Sequence, residues 1–284
     1  MAGTESAGTL RFGVVTDVHL STERGQGGEA NQAAADLKAL IDSFRKESVD
    51  FILQLGDLIS GTSNHDLEEL HLALSILNAF PGTVRHVVGN HCLSLPRATL
   101  LLSLGLGESY YAFSLKGVRF IVLDGMDVSV LREPETAEDR ALIEAYQTHP
   151  EIHDYCGGVG ERQKAWLKEE LLRAETVGEA VIVVCHFPLM PETTDEKHGL
   201  LWNHREISKL IASSPAVIAC LGGHYHYGGH QMQGGAHFVV LPAFVNRHEH
   251  PDFSGGTVEL TCGRIRISNQ QGELFLDLPL NRKE

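Results

Sequence analysis

No apolar run in the 284-residue chain approaches the roughly 20 residues that a membrane-spanning helix needs. The opening MAGTESAGTLRF has no basic stretch followed by an apolar one, so no secretory signal is read there. Cysteine is scarce: five residues, at 92, 156, 185, 220 and 262, an odd number with no Cys-x-x-Cys pair. That pattern argues against a disulfide framework or a cysteine zinc site, and it fits a reducing compartment. The expectation is a soluble cytoplasmic protein with no membrane contact. Basic charge is also short, with 23 Lys and Arg against 37 Asp and Glu, a formal net charge of -14. No basic stretch interleaved with aromatics occurs, so large nucleic acids are poor partners. A small phosphate ligand is compatible with an acidic protein if bound cations reverse the sign locally. Internal repeats, low-complexity linkers and shifts in composition are all missing, which predicts one domain over 8–282 behind a frayed N-terminus, 1–7.

Hydrophobic residues make up 43% of the chain, enough for a sizeable core. RFGVVTD (11–17), VDFILQLGD (49–57) and RHVVGN (85–90) read as buried strands. Between them, 31–47 puts Ala33, Leu37, Leu40, Ile41 and Phe44 on one helical face, and 65–79 does the same with Leu67, Leu70, Leu74 and Leu77. Strand and helix thus alternate in a layered α/β manner. YYAFSLKG and VRFIVLDG (110–125) read as paired strands about Lys116-Gly117, and 126–159 as irregular. Residues 161–175 and 203–214 read as helices, 179–188 and 216–224 as buried strands, and the chain from 236 onward as strands. The pattern predicts two sheets with flanking helices.

Five short motifs carry the chemistry: Asp17-Val18-His19, Gly56-Asp57, Gly89-Asn90-His91, His186, and Gly223-His224-Tyr225-His226. Four directly follow an apolar run and His186 ends one. Ligands of α/β sheets bind beyond the carboxyl ends of strands, so the chain delivers one polar group after another to one sheet edge. Asp, Asn and His suit Mn, Fe or Zn. A pair of such cations acidifies water and neutralises a phosphoryl group as charge builds, which is why no Ser or Cys nucleophile is needed.

In that order the motifs resemble the calcineurin-like metallophosphoesterase superfamily, over positions 17 to 226. The resemblance implies a four-layer αββα sandwich of two mixed β-sheets flanked by helices. It implies that Asp17, His19 and His226 bind one divalent cation, that Asn90, His186 and His224 bind a second, and that Asp57 bridges them. His91 would be the catalytic residue beside the substrate phosphate, stabilising charge or protonating the leaving oxygen. Many relatives carry an acidic residue after Gly-Asn-His that orients the histidine; here it is Cys92, and a neutral thiol cannot raise His91 basicity as a carboxylate would.

Residues 110–124, 157–167, 185–189 (CHFPL), 199–204 (GLLWNH) and 223–229 (GHYHYGG) resemble more narrowly the manganese-dependent ADP-ribose/CDP-alcohol diphosphatase group. That likeness implies two Mn ions, with Fe or Zn as alternatives, and a small nucleotide-type substrate whose phosphoanhydride is hydrolysed. A phosphomonoesterase or cyclic-nucleotide phosphodiesterase on the same scaffold is the alternative, and a catalytically silent binding scaffold a second. For substrate contacts the sequence offers Phe187, read as standing at the rim after a ligand position, Trp202 and His204. The other histidines read as solvated or packed, HEHPD (248–252) as a polar loop, and the acidic run 133–139 as a solvated connection.

Overall fold

A computed structural model describes residues 9–22, 29–62, 64–148, 153–195 and 198–280. The expected frayed residues 1–7, and His149, lie outside them. The first sheet takes β1 (Leu10–Val15), β2 (Phe51–Gln54), β3 (Thr83–His86), β10 (Gly256–Leu260), β11 (Arg264–Asn269) and β12 (Leu274–Pro279). Its order is β12-β11-β10-β1-β2-β3, with β1, β2 and β3 parallel and the other pairs antiparallel. The second takes β4 (Tyr111–Leu115), β5 (Val118–Val122), β6 (Ala180–Val184), β7 (Val217–Gly222), β8 (Gly229–Gln233) and β9 (Ala236–Val240) in the order β4-β5-β6-β7-β9-β8. Its inner strands β5, β6, β7 and β9 run parallel, and its edges β4 and β8 are antiparallel.

Alternation of side chains along a strand with both faces covered explains why the inner strands β6 (AVIVV) and β7 (VIACLG) carry no polar side chain and why β1, β2 and β5 carry one each. Phe12 and Val14 of β1, Phe51 and Leu53 of β2, and Phe120 and Val122 of β5 share one core between the sheets. Phe12 stacks on Phe51 at 5.0 Å and meets Phe120 edge-on at 5.4 Å, so the two sheets lie face to face. Each such buried ring stabilises the fold by about 2–3 kcal/mol. The intervening positions point outward. Val15 and Ile52 pack under α1 (Glu29–Lys46), α2 (Asp66–Leu77) and α3 (Arg97–Ser103). Ile121, Val181 and Val183 pack under α5 (Glu161–Val177) and α6 (His204–Ser213). The layers are therefore helices, sheet, sheet, helices: the expected four-layer αββα sandwich of two mixed sheets.

Two segments differ from the sequence reading. Within the stretch read as irregular lies α4 (Ala137–Gln147), capped by Thr136, whose Oγ1 accepts the Asp139 amide at 3.0 Å. The acidic run 133–139 is thus partly a helix start, and Asp139 is buried with its carboxylate accepting the Glu161 amide at the start of α5. The hairpin strand β8 also went unread, although Gly234 and Gly235, both at positive φ, form the two-residue turn into β9. No helix among the described residues is long and apolar enough to cross a membrane.

Candidate active site

The carboxyl ends of β1, β2 and β3 in one sheet and of β6 and β7 in the other deliver the five motifs to one place. The loops are stitched together by backbone bonds. Asp17 N donates to Gly56 O at 3.1 Å, His19 N to Asp57 O at 3.0 Å, and Gly223 N to His186 O at 2.9 Å. The sheets are tied across the site as well: the His224 amide donates to the Asp17 carboxylate at 3.0 Å, and His186 Nδ1 to the Leu55 carbonyl at 2.9 Å. Two motif glycines permit this closeness. A Cβ on Gly89 would overlap the Asp57 carboxylate, and one on Gly223 would overlap Thr16 Oγ1 and the Asp17 carboxylate.

Four of the candidate ligands sit in the left-handed region: Asp17 (φ 49°), His19 (φ 45°), Asp57 (φ 50°) and His224 (φ 67°). Side chains there cost of order 1 kcal/mol or more each and cluster at functional sites. The surrounding ladder holds them in a conformation that aims the side chains inward.

Three groups of donors result: Asp17, His19 and His226; His19, Asp57 and His91; and Asp57, His186 and His224. In the first, His19 Nε2 lies 3.2 Å from His226 Nε2 and 3.7 Å from Asp17 Oδ1, and His226 Nε2 lies 3.6 Å from the same oxygen. In the last, His186 Nε2 lies 3.1 Å from Asp57 Oδ2 and 3.3 Å from Asn90 Oδ1. Two donors each about 2.1 Å from one cation lie roughly 3–4 Å apart, so these separations fit a cation in each group. Asp57, present in both Asp57-containing groups and 3.9 Å from His19 through Oδ2, reaches toward both ends. The donors are oxygen and imidazole nitrogen with no thiolate, which suits Mn, Fe or Zn.

Tautomers follow from the hydrogen bonds. His186 donates through Nδ1 to Leu55 O, which aims Nε2 at Asp57 and Asn90, where it becomes a ligand once its proton is displaced. His91 donates through Nδ1 to Ser60 O at 2.6 Å, while its amide donates to Asp57 Oδ1 at 2.9 Å. The orienting acceptor for His91 is thus a backbone carbonyl. Cys92 is buried beneath, its sulfur accepting the Leu58 amide at 3.3 Å, with burial pushing the thiol up to about 12.

Electrostatics support the same arrangement. Burial opposes ionisation of Asp57, but the charge and hydrogen bond of His186 hold it well below the usual carboxylate range. Burial likewise opposes ionisation of Asp17, and the His19 hydrogen bond and the His186 charge bring it down to about 2. Burial disfavours the His186 cation, yet the Asp57 charge raises this ring to about 9. His224, buried and beside His186, is pushed down to about 3 and is neutral.

The proposed substrate contacts fare differently. Phe187 is not at a rim: it is 1% exposed, with its ring 5.1 Å from His186 and 4.7 Å from His224, and it backs the ligands from the core side. Trp202, 3% exposed, stacks on Tyr146 and donates Nε1 to His153 O, which leaves no face for a base. His204 opens α6 and donates Nδ1 to Leu201 O, with Nε2 buried, so it serves helix entry. Phe187 and Trp202 are buried and His204 is bonded into the turn that opens α6, so all three turn into the fold. HEHPD packs as a polar loop, its His248 at 3.5 Å from Asp36 and His250 against Tyr227.

The aromatic rings that do reach the surface here went unread. Tyr155, 40% exposed, lies 5.7 Å from His224 and stacks on His153 at 4.7 Å. Tyr225 and Tyr227 follow within the last motif. Their signal was present in GHYHYGG, whereas Tyr155 lay in a stretch without periodicity.

A family model for calcineurin-like phosphoesterases matches residues 10–228, and the chain belongs to that family. It is a metal-dependent phosphoesterase. Among curated relatives, a manganese-dependent ADP-ribose/CDP-alcohol diphosphatase of Arabidopsis thaliana is 32% identical over 222 residues, 69% of this chain and 71% of that protein. One of the same name from Oryza sativa subsp. japonica is 29% identical over 265 residues, 82% of each. Among solved structures, a dimetal phosphatase from Danio rerio superposes with a TM-score of 0.82 at 25% identity, covering 96% of this chain and 99% of that one.

Proposed function

We propose that the chain hydrolyses the phosphoanhydride of nucleoside diphosphate-linked small molecules of the ADP-ribose or CDP-alcohol type, with two Mn ions. The observation that carries this is the run of donor groups Asp17–His19–His226, His19–Asp57–His91 and Asp57–His186–His224, linked through His19 and Asp57, with the exposed Tyr155 ring beside His224. When bound, the two cations lower the pKa of water and neutralise the phosphoryl oxygens. Asp17, His19 and His226 would hold one; Asn90, His186 and His224 the other; and Asp57 both.

The protein's own residues do the rest. The His186 cation holds Asp57 ionised in the metal-free site, and bound cations would take over that role as His186 gives up its proton, so a full charge stands between the cation positions. His91, locked through Nδ1 to Ser60 O, offers Nε2 to the substrate. As imidazolium it protonates the leaving oxygen, and as neutral donor or acceptor it orients the phosphate. Its amide bond to Asp57 fixes it relative to the cations. Tyr155 supplies a stacking face for a nucleobase beside His224. The acidic surface disfavours large nucleic acids, and free cysteines, four of them buried, fit a reducing compartment such as the cytoplasm.

The test is product analysis. Protein stripped of metal and reloaded with Mn is given ADP-ribose, CDP-choline, a cyclic nucleotide and an aryl phosphate. AMP and CMP are the expected products. Turnover of only the cyclic or aryl compounds replaces this reading with the phosphodiesterase or monoesterase one, and no Mn binding at all returns the silent scaffold.

A further inference from the structure

Thr16 directly follows β1 and stands one residue before the first motif. Its side chain is buried, 2% exposed, so its hydroxyl must find a partner inside the protein. It donates to Asp17 Oδ2 at 2.5 Å, the short O–H···O distance of a charge-assisted bond. The His224 amide donates to the same oxygen at 3.0 Å and reaches Oδ1 at 3.2 Å. Oδ1 is the oxygen that meets the imidazoles: His226 Nε2 lies 3.6 Å from it and His19 Nε2 3.7 Å. The carboxylate is thus divided between two tasks. Oδ2 is tied into the protein, and Oδ1 stands with the two rings of the first donor group.

That division needs a cause. Rotation of an aspartate carboxylate about its Cβ–Cγ bond is soft, with broad wells. The left-handed backbone of Asp17, at φ 49°, sets where its Cβ points but not how the carboxylate is turned. The His224 amide reaches both oxygens and chooses weakly between them. The Thr16 bond goes to Oδ2 and makes the choice. The hydroxyl is itself held, because a β-branched side chain is stiff at χ1 and the Thr16 carbonyl accepts the Phe244 amide at 3.0 Å. Gly223 leaves room for the pair: a Cβ there would fall 2.0 Å from Thr16 Oγ1 and 2.4 Å from Asp17 Oδ2. We propose that Thr16 is a positioning residue of the cation centre, which by donating to Oδ2 turns Oδ1 toward His19 and His226 and so sets the affinity of the first cation position. The inference rests on the assignment of Asp17 to that cation. Thr16 acts through Asp17 and does not itself meet cation or substrate.

Calorimetric titration of metal-stripped protein with Mn reads this without turnover. Thr16→Ala removes the hydroxyl, and Thr16→Ser keeps it. The alanine variant is expected to bind the first cation about ten- to a hundredfold more weakly, the scale of losing a group that orients a metal ligand. The serine variant should bind close to wild type. Thr16→Val, which keeps the branched shape and lacks the donor, carries the same expectation if the alanine variant does not fold. Two backgrounds locate the effect. Asn90→Ala takes a donor from the second group and leaves the first position to be measured, whereas His226→Ala leaves the second. Loss of the hydroxyl should show its full cost in the Asn90→Ala background and stay within about twofold in the His226→Ala background. A role in folding alone moves both backgrounds alike. Equal losses in the two, or equal affinity in the variants with and without the hydroxyl, overturn the inference. Asp17→Asn separates it from the reading beneath it. If that variant binds both cations as wild type does, the assignment of Asp17 falls and the inference with it. If it loses the first cation while Thr16→Ala and Thr16→Val do not, the role of Thr16 alone falls.

Discussion

The cation end of the site and its aromatic end are built by different means. Asp17, Asp57 and His186 are fully buried, leave strand ends, and are held by backbone bonds to neighbouring loops. Tyr155 is exposed and is held by the rings of His153 and His224. A two-cation centre tolerates little displacement, so its donors sit on the most rigid positions available. A surface that stacks planar groups needs only π-faces at roughly the right spacing, and loops suffice.

The sharpest way to break the cation end is Asp57→Asn. It removes the one carboxylate placed in two donor groups and leaves the bond to the His91 amide nearly intact in shape. The expected result is a loss of kcat of at least roughly a thousandfold, with at least one cation lost by metal analysis. A variant with two tightly held cations and near-normal turnover rules out the bridging role.

Next in size is His91→Ala, which should lower kcat by roughly 10²–10⁴, the usual contribution of a proton-transferring group, while metal content stays near normal. His91 also stands in a donor group with His19 and Asp57. Loss of metal in this variant therefore reassigns His91 as a ligand.

The pH dependence of Mn binding probes the same end more gently. His186 has its pKa raised from 6.5 to about 9 by the Asp57 charge, against burial. Its protonated form is therefore favoured up to about 9, and a cation must displace that proton. Apparent Mn affinity should rise with pH, by up to about tenfold per unit for one proton displaced, and level off above about 9. Calorimetry in buffers of different ionisation enthalpy counts the protons released. Affinity that is flat between pH 6.5 and 8.5 removes His186 from the ligand set.

The difference between the two ends also explains how much of each was legible. The cation end could be read because apolar runs ending in Asp, Asn or His announce both the strand and the group it delivers. The layers could be read because two-sided burial makes β6 and β7 apolar throughout and β1 and β2 apolar but for Arg11 and Gln54. What went unread lacks such a signal. α4 carries only Leu142, Ile143 and Tyr146 against α5 and its surroundings, so its helical period is faint. β8, GHQMQ, is an edge strand without β-branched residues and exists by pairing with β9. Phe187 was misplaced because a residue that follows a ligand in sequence need not follow it in space. Alternation past the end of β6 turns it under His186, and Gly125 is small enough to let its ring in.

That reversal gives the smallest and most discriminating prediction. Tyr155→Ala should raise KM for ADP-ribose about tenfold, the cost of one lost stacking face, and leave the melting temperature and metal content nearly unchanged, because the ring is 40% exposed. Phe187→Leu should do the opposite: stability falls by about 1 kcal/mol as packing behind the histidines loosens, and KM stays within about twofold if its cation ligands hold their places. The pair separates contact from support through two independent readouts, KM and thermal unfolding. A KM effect in Phe187→Leu as large as that in Tyr155→Ala, with unfolding unchanged, would put the base on Phe187 and contradict the burial that removes it from the rim.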